Sequence, residues 1–234
     1  MDWLTKIWPF GKQWPDTPLW NTYQAAFSEG YTRKTPLREV RFVVLDTETT
    51  GLDPMKDNIL SIGAVAVENQ EIRIADRFEA LFPQAAAVSK QEEAIAVHGI
   101  LQKHSRQQTE SSEAILAGFV SYLSNAVMVG HHVSFDFGIL NQACQRQLGG
   151  KLKNKTVDTI WLAKRVVDAH YMMQTPQQAG TYSLDAMCEQ YRIPIQDRHT
   201  ASGDAMLTAL LFVKLVARLE KKGVKTLGDL LRQP

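Results

Sequence analysis

The feature that most constrains the fold is a run of bulky apolar residues that ends in two acids. Arg41-Phe42-Val43-Val44-Leu45 contains no Gly or Pro and reads as a buried central strand. It leads directly into Asp46-Thr47-Glu48-Thr49-Thr50-Gly51-Leu52, where the carboxylates stand one residue apart and a turn follows. Side chains two apart on a strand share a side, so Asp46 and Glu48 project together. Two carboxylates so placed repel, and each raises the other's pKa, unless a cation lies between them. A divalent ion such as Mg²⁺ or Mn²⁺, which takes hard oxygen ligands, meets that need.

Downstream patterning predicts the frame around this strand. Ile59–Val67 and Glu71–Phe82 are two further strands joined by the turn Glu68-Asn69-Gln70, giving an antiparallel meander. After about Ser89 the pattern changes. Helices are expected over Ser111–Ser124, Phe135–Leu148, Ile160–Ala169, Ser183–Tyr191 and Ser202–Glu220, with short strands at Ala126–Gly130 and Thr156–Thr159 and a loop over Tyr171–Gly180. The fold class is therefore α/β: a mixed sheet, three-strand antiparallel meander plus parallel strands, flanked by helices.

The ends differ from the middle. Trp3, Trp8, Trp14 and Trp20 recur every five to six residues among Pro9, Pro15 and Pro18, a period that fits neither helix nor strand. Residues 1–37 read as a Trp/Pro-rich extension whose indoles pack on the domain, because large aromatics seek burial. The alternative is a docking arm for a protein partner. Residues 38–222 form the domain and 223–234 a short tail. No run approaches the roughly 20 apolar residues that span a bilayer, the N-terminus lacks a secretory signal, and Cys144 and Cys188 have no metal-type spacing. Cytoplasm and no membrane partner are the expectation. A net charge of +1 argues against broad electrostatic adhesion to nucleic acid but not against a local groove.

Two later acids stand at suggestive places. Asp136 follows the strand ending at Gly130, at the start of a helix, and Asp204 lies in the first turn of the last long helix. Each alone is an ordinary helix-terminus acid. Together with Asp46 and Glu48 they are placed to converge beyond the carboxyl ends of strands, where sites in α/β sheets form. His199 precedes Asp204 by five residues, close enough for a loop to present an imidazole beside the carboxylate, and imidazole is the side chain best suited to a general base near neutral pH. Four carboxylates carry a charge that two divalent ions neutralise, which is the inventory for two-metal phosphodiester hydrolysis. No P-loop, Ser-His-Asp order or Cys/His zinc spacing competes.

These residues carry a resemblance. Asp46-Thr47-Glu48-Thr49-Thr50-Gly51-Leu52, Val97-His98-Gly99-Ile100, His131-His132-Val133-Ser134-Phe135-Asp136 and His199-x4-Asp204 resemble, in order, the exonuclease motifs of the DEDD superfamily. The histidine five before the last acid marks the DEDDh branch, which includes the proofreading epsilon subunit of bacterial replicative polymerase and its stand-alone relatives. The resemblance covers about Arg38–Lys222. It implies a ribonuclease H-like fold, two Mg²⁺ or Mn²⁺ ions and 3′→5′ removal of nucleotides from a nucleic-acid end, with single-stranded or frayed DNA as the expected substrate. It also implies residue roles: Asp46, Glu48 and Asp204 as ligands of the nucleophile-side ion, Asp46 and Asp136 toward the second ion, and His199 as base. Thr47, Thr49, Leu52, His98 and Phe135 match positions that line the end-binding pocket, Leu52 as an apolar wedge. His132 stands where the family has Asn. An RNA trimmer resembling ribonuclease T or oligoribonuclease is the alternative enzyme, and a polymerase-docking module the alternative outside enzymes.

Overall fold

A computed structural model describes residues 14–83, 110–167 and 180–232. Strands β1 (Phe42–Thr49), β2 (Ile59–Glu68) and β3 (Glu71–Leu81) form the antiparallel meander, and β4 (Val127–Gly130) and β5 (Thr156–Asp158) add in parallel. The order across the sheet is β3-β2-β1-β4-β5, so the strand that carries the first two acids is central. β1 outlasts its apolar core: the ladder to β2 continues through Asp46, Thr47 and Glu48 and shifts register only at Thr49.

Helices flank both faces of the sheet. In chain order they are α1 (Pro18–Ala26), α2 (Ser112–Leu123), α3 (Val133–Leu148), α4 (Thr159–Val166), α5 (Leu184–Gln190), α6 (Ala201–Lys221) and α7 (Leu227–Leu230). Thr17, Ser111, Asp158, Ser183, Thr200 and Thr226 cap helix N-termini by accepting backbone N–H groups that have no intrahelical partner. Alternation along β1 divides the core. Phe42 and Val44 pack with Leu211, Phe212 and Leu215 of α6, whereas Val43 and Leu45 pack with Leu116 and Phe119 of α2 and Leu140 of α3. The same parity sends Asp46 and Glu48 to the α6 face and Thr47 to the α3 face.

The residues outside the expected 38–222 boundaries also pack. Pro18 occupies the first turn of α1, where a missing N–H does no harm. Trp20 is fully buried, its indole N–H donating to the Leu148 carbonyl at 2.8 Å. A Cβ on residue 150 would lie 2.3 Å from that indole, so Gly150 is what admits it. Tyr23 donates to Asn154 Oδ1 at 2.6 Å. At the other end Val224, Leu227 and Leu230 are buried, and residues 35–37 exchange backbone hydrogen bonds with Lys225 and Leu227. Trp3, Trp8, the His98 segment and most of the expected Tyr171–Gly180 loop lie outside the described residues, as do Asp168 and Ala169; the helix expected to reach Ala169 ends at Val166, because the backbone turns extended at Val167 (ψ 141°). Cys144 and Cys188 are buried free thiols, and no described helix is long and apolar enough to cross a membrane.

Candidate active site

The acidic cluster is assembled by a glycine as much as by the acids. Asp46 is paired across the ladder with Gly63 of β2. A Cβ at residue 63 would lie 2.3 Å from the Ala201 carbonyl carbon and the Ser202 nitrogen, so the bare backbone lets the first turn of α6 rest on β2. That contact brings Asp204 to the end of β1. Oxygens of Asp46, Glu48 and Asp204 lie within 4.8 Å of one another. Asp204 Oδ1 is buried and accepts no hydrogen bond from the described residues, an expensive state for a carboxylate oxygen.

Charge at the cluster is correspondingly unrelieved. Burial pushes the Asp46 carboxyl well above its ordinary range, and Asp136, Asp204 and Glu48 push it further. Glu48 is raised by burial and then by Asp204, with His199 and Arg198 acting in the opposite direction. Three converging carboxylates, one with an uncommitted buried oxygen, fit a divalent cation.

Asp136 reaches the same strand end from the other face. In the first turn of α3, its Oδ1 accepts the Thr47 N–H at 3.0 Å and the Thr47 hydroxyl at 2.8 Å. Burial nonetheless outweighs these bonds and raises its pKa to about 7. Thus Asp136 is electrostatically coupled to Asp46 while being held by β1's own backbone, and Thr47, expected among the end-binding residues, directs its hydroxyl to this acid.

The remaining expected residues surround the cluster. His199 sits in the turn before α6 with left-handed backbone (φ 61°), near enough to influence Glu48. Leu52 is 86% exposed at the tip of the turn after β1. That turn is braced by Asp57, which accepts from the Asp53 N–H and the Thr50 hydroxyl, both at 2.8 Å, and by Thr49, whose hydroxyl donates to the Gly51 carbonyl at 2.7 Å. Phe135 is half-buried on α3. His132, where Asn was expected, takes the left-handed conformation (φ 68°) that Asn and His both tolerate, and its side chain makes no capping bond. Burial lowers the pKa of His131, whose Nε2 lies 2.7 Å from the Tyr182 carbonyl and Nδ1 2.8 Å from the Thr159 hydroxyl. Donation from Nε2–H leaves Nδ1 to accept from Thr159.

Two residues of this neighbourhood escaped the sequence reading. Arg198 extends its guanidinium to Asp204 and to Asp185 in α5. Nothing in an Arg beside a loop His marks it as special. Gly63 did carry a signal, since a glycine inside an apolar strand often marks close approach of another backbone.

The chain is similar to several known proteins. The chain is 32% identical to the DNA polymerase III PolC-type of Thermotoga petrophila, over 81% of this chain and 13% of that protein. It is also 32% identical to a DNA polymerase III subunit epsilon-like protein of Rhodobacter capsulatus, over 88% of this chain and 28% of the relative. It therefore spans only a minor part of the length of these relatives. Among solved structures, E. coli exonuclease I in complex with a dT13 oligonucleotide matches with a TM-score of 0.57 at 17% identity, over 79% of this chain and 43% of that one. Cell-death related nuclease 4 matches with a TM-score of 0.56 at 15% identity, over 77% of this chain and 64% of that one. These structural likenesses establish the ribonuclease H-like fold. The RNase_T-type exonuclease family matches over residues 43–212, a span that holds Asp46, Glu48, Asp136, His199 and Asp204, and the chain belongs to that family.

Proposed function

We propose that the protein is a DEDDh-type, metal-dependent 3′→5′ exonuclease that releases nucleoside 5′-monophosphates from single-stranded or frayed DNA. The observation that carries this reading is the Asp46–Glu48–Asp204 cluster with its uncommitted Asp204 oxygen. Asp46, Glu48 and Asp204 would hold one divalent ion, Mg²⁺ or Mn²⁺, and Asp46 with Asp136, directly or through water, a second. Bound there, such ions would polarise the scissile phosphate and stabilise the attacking and leaving oxygens.

The protein's own residues do the rest. His199, on its turn beside Glu48, accepts a proton from the attacking water as the new P–O bond forms. The P–O3′ bond breaks, and the departing 3′ oxygen leaves with a proton taken up from solvent. Leu52, exposed on a braced turn, would offer an apolar edge to the terminal base, and Thr49 and Phe135 are included in the end-binding set on their motif positions. Thr47 serves indirectly, by holding Asp136. His98 is included in the end-binding set on its motif alone. A cytoplasmic location accords with the two buried thiols. The oligonucleotide-bound exonuclease I neighbours favour a single-stranded DNA end as substrate.

A labelled single-stranded DNA oligomer tests the reading. Stepwise loss from the 3′ end is expected with Mg²⁺, and none with EDTA or with Asp46→Ala. Equal activity in EDTA would overturn it, and faster trimming of an RNA oligomer of the same length would reassign the substrate.

A further inference from the structure

Arg198 lies in a turn that needs external support. Its neighbours Asp197 and His199 both take left-handed backbone, at φ 52° and 61°, a sparsely populated conformation that Asp and His tolerate better than most residues. Part of the support is local. The Thr200 hydroxyl donates to the Asp197 carbonyl at 2.7 Å and accepts the Gly203 N–H at 3.0 Å, and a Cβ on residue 203 would lie 2.0 Å from that carbonyl oxygen. The other part is the arginine. Nε and Nη2 grip Asp185 of α5 at 2.6 and 3.2 Å, and Nη1 donates to Asp204 Oδ2 of α6. One planar fork thus ties α5, the His199 turn and α6 together, with donor directions that a lysine does not reproduce.

The tie also distinguishes the two oxygens of Asp204. Oδ2 is occupied by the guanidinium, Oδ1 is buried with no hydrogen-bond partner among the described residues, and an Asp204 oxygen lies within 4.8 Å of oxygens of Asp46 and Glu48. Asp185, whose side chain is 55% exposed, offsets the arginine's charge, so the cluster stays acidic although a cation stands beside it. Partners of this kind behind a ligating carboxylate fix its orientation.

Building on the exonuclease reading above, we propose that Arg198 is a positioning residue: held by Asp185, it engages Asp204 Oδ2 so that Oδ1 faces a divalent ion, and it fixes the turn that presents His199. The rival role has the opposite sign. A mere stand-in cation filling an acidic pocket would compete with the ion and weaken its binding.

Calorimetric titration of the full chain with Mn²⁺, without nucleic acid, separates the two. Arg198→Ala and Asp185→Asn are expected to weaken Mn²⁺ binding about 10- to 100-fold. Arg198→Lys, which keeps charge but not the fork, should recover only part of that loss. On oligonucleotide, kcat should fall in the same order with KM unchanged. Thermal melting in EDTA checks that each variant folds. Asp185→Asn, at a half-exposed side chain, carries the test if Arg198→Ala does not fold. Arg198→Ala binding Mn²⁺ as tightly as the parent, or more tightly, would overturn the proposal, as would Arg198→Lys matching the parent throughout. A parent that binds no Mn²⁺ would instead sink the metal site itself, and with it the exonuclease reading.

Discussion

The two faces of the sheet treat their acids differently at the end of β1. On the α6 face, Asp46, Glu48 and Asp204 converge, and one buried oxygen is left without a hydrogen bond. On the α3 face, Asp136 is the most buried of the four acids but is held by two hydrogen bonds from Thr47. A single odd residue between two even ones makes the difference, because strand parity sends Thr47 to the opposite side from its neighbours. The contrast shows that four acids of one motif set are not equivalent. Three form an open cluster that calls for a cation, and the fourth is built into the strand whose end it serves.

Substitutions on the α6 face should therefore have the largest effects. Asp46→Asn is expected to abolish both Mn²⁺ binding and oligonucleotide trimming, since Asp46 stands at the centre of the cluster and feels every other acid. Titration calorimetry and a gel assay check this, and a variant that retains either property would break the asymmetry. Next comes His199→Ala, which should lower kcat by about 10²–10⁴-fold while leaving Mn²⁺ affinity intact. Loss of metal binding in that variant would mean that the histidine is a ligand.

Thr47→Val probes the other face. It deletes one of Asp136's two bonds at nearly constant shape and leaves the backbone N–H in place. Activity should fall by about 10- to 100-fold, as for other partners of ligating carboxylates. The expected loss of stability is about 1–3 kcal/mol, measured by urea unfolding, because a buried carboxyl loses a donor. An effect as severe as that of Asp46→Asn would place Thr47 on the substrate itself.

The smallest expected effect is a pH dependence of the metal-free protein. Asp136 has an ordinary pKa of 3.8 and about 7 when folded, and Asp46 is raised as well. Between those values the folded state keeps a proton that the unfolded chain has released, so stability falls as pH rises through this window. Melting in EDTA should shift to lower temperature as pH goes from about 5 to about 8, and Asp136→Asn should flatten part of that trend. A midpoint that rises with pH would contradict the raised carboxyls.

Much of this arrangement is legible in the chain. The apolar run into Asp46, the alternation of Val43 and Val44, and the first-turn positions of Asp136 and Asp204 follow from strand and helix periods. The parts that are not legible fail for identifiable reasons. Pro18 reads as a helix breaker, yet at the first turn of α1 it is a starter, and Trp20 and Tyr23, three apart, turn inward from it. A repeat of tryptophans every five to six residues hides that three-residue relation. Val224, Leu227 and Leu230 follow the last long helix so closely that they look like a tail, and only long-range pairing with residues 35–37 buries them. Arg198 is invisible for the same reason: its meaning lies in Asp185 and Asp204, which only the fold brings to it.

The most direct test of the unequal faces is anomalous diffraction from a crystal soaked in Mn²⁺ and a nucleoside 5′-monophosphate. The arrangement predicts a strong Mn²⁺ peak bound by an oxygen each of Asp46, Glu48 and Asp204, with Oδ1 as the Asp204 ligand and Asp136 still accepting from Thr47. A crystal in which no Mn²⁺ peak is bound by Glu48 and Asp204, whether the sole peak lies at Asp136 or away from the end of β1, would contradict it.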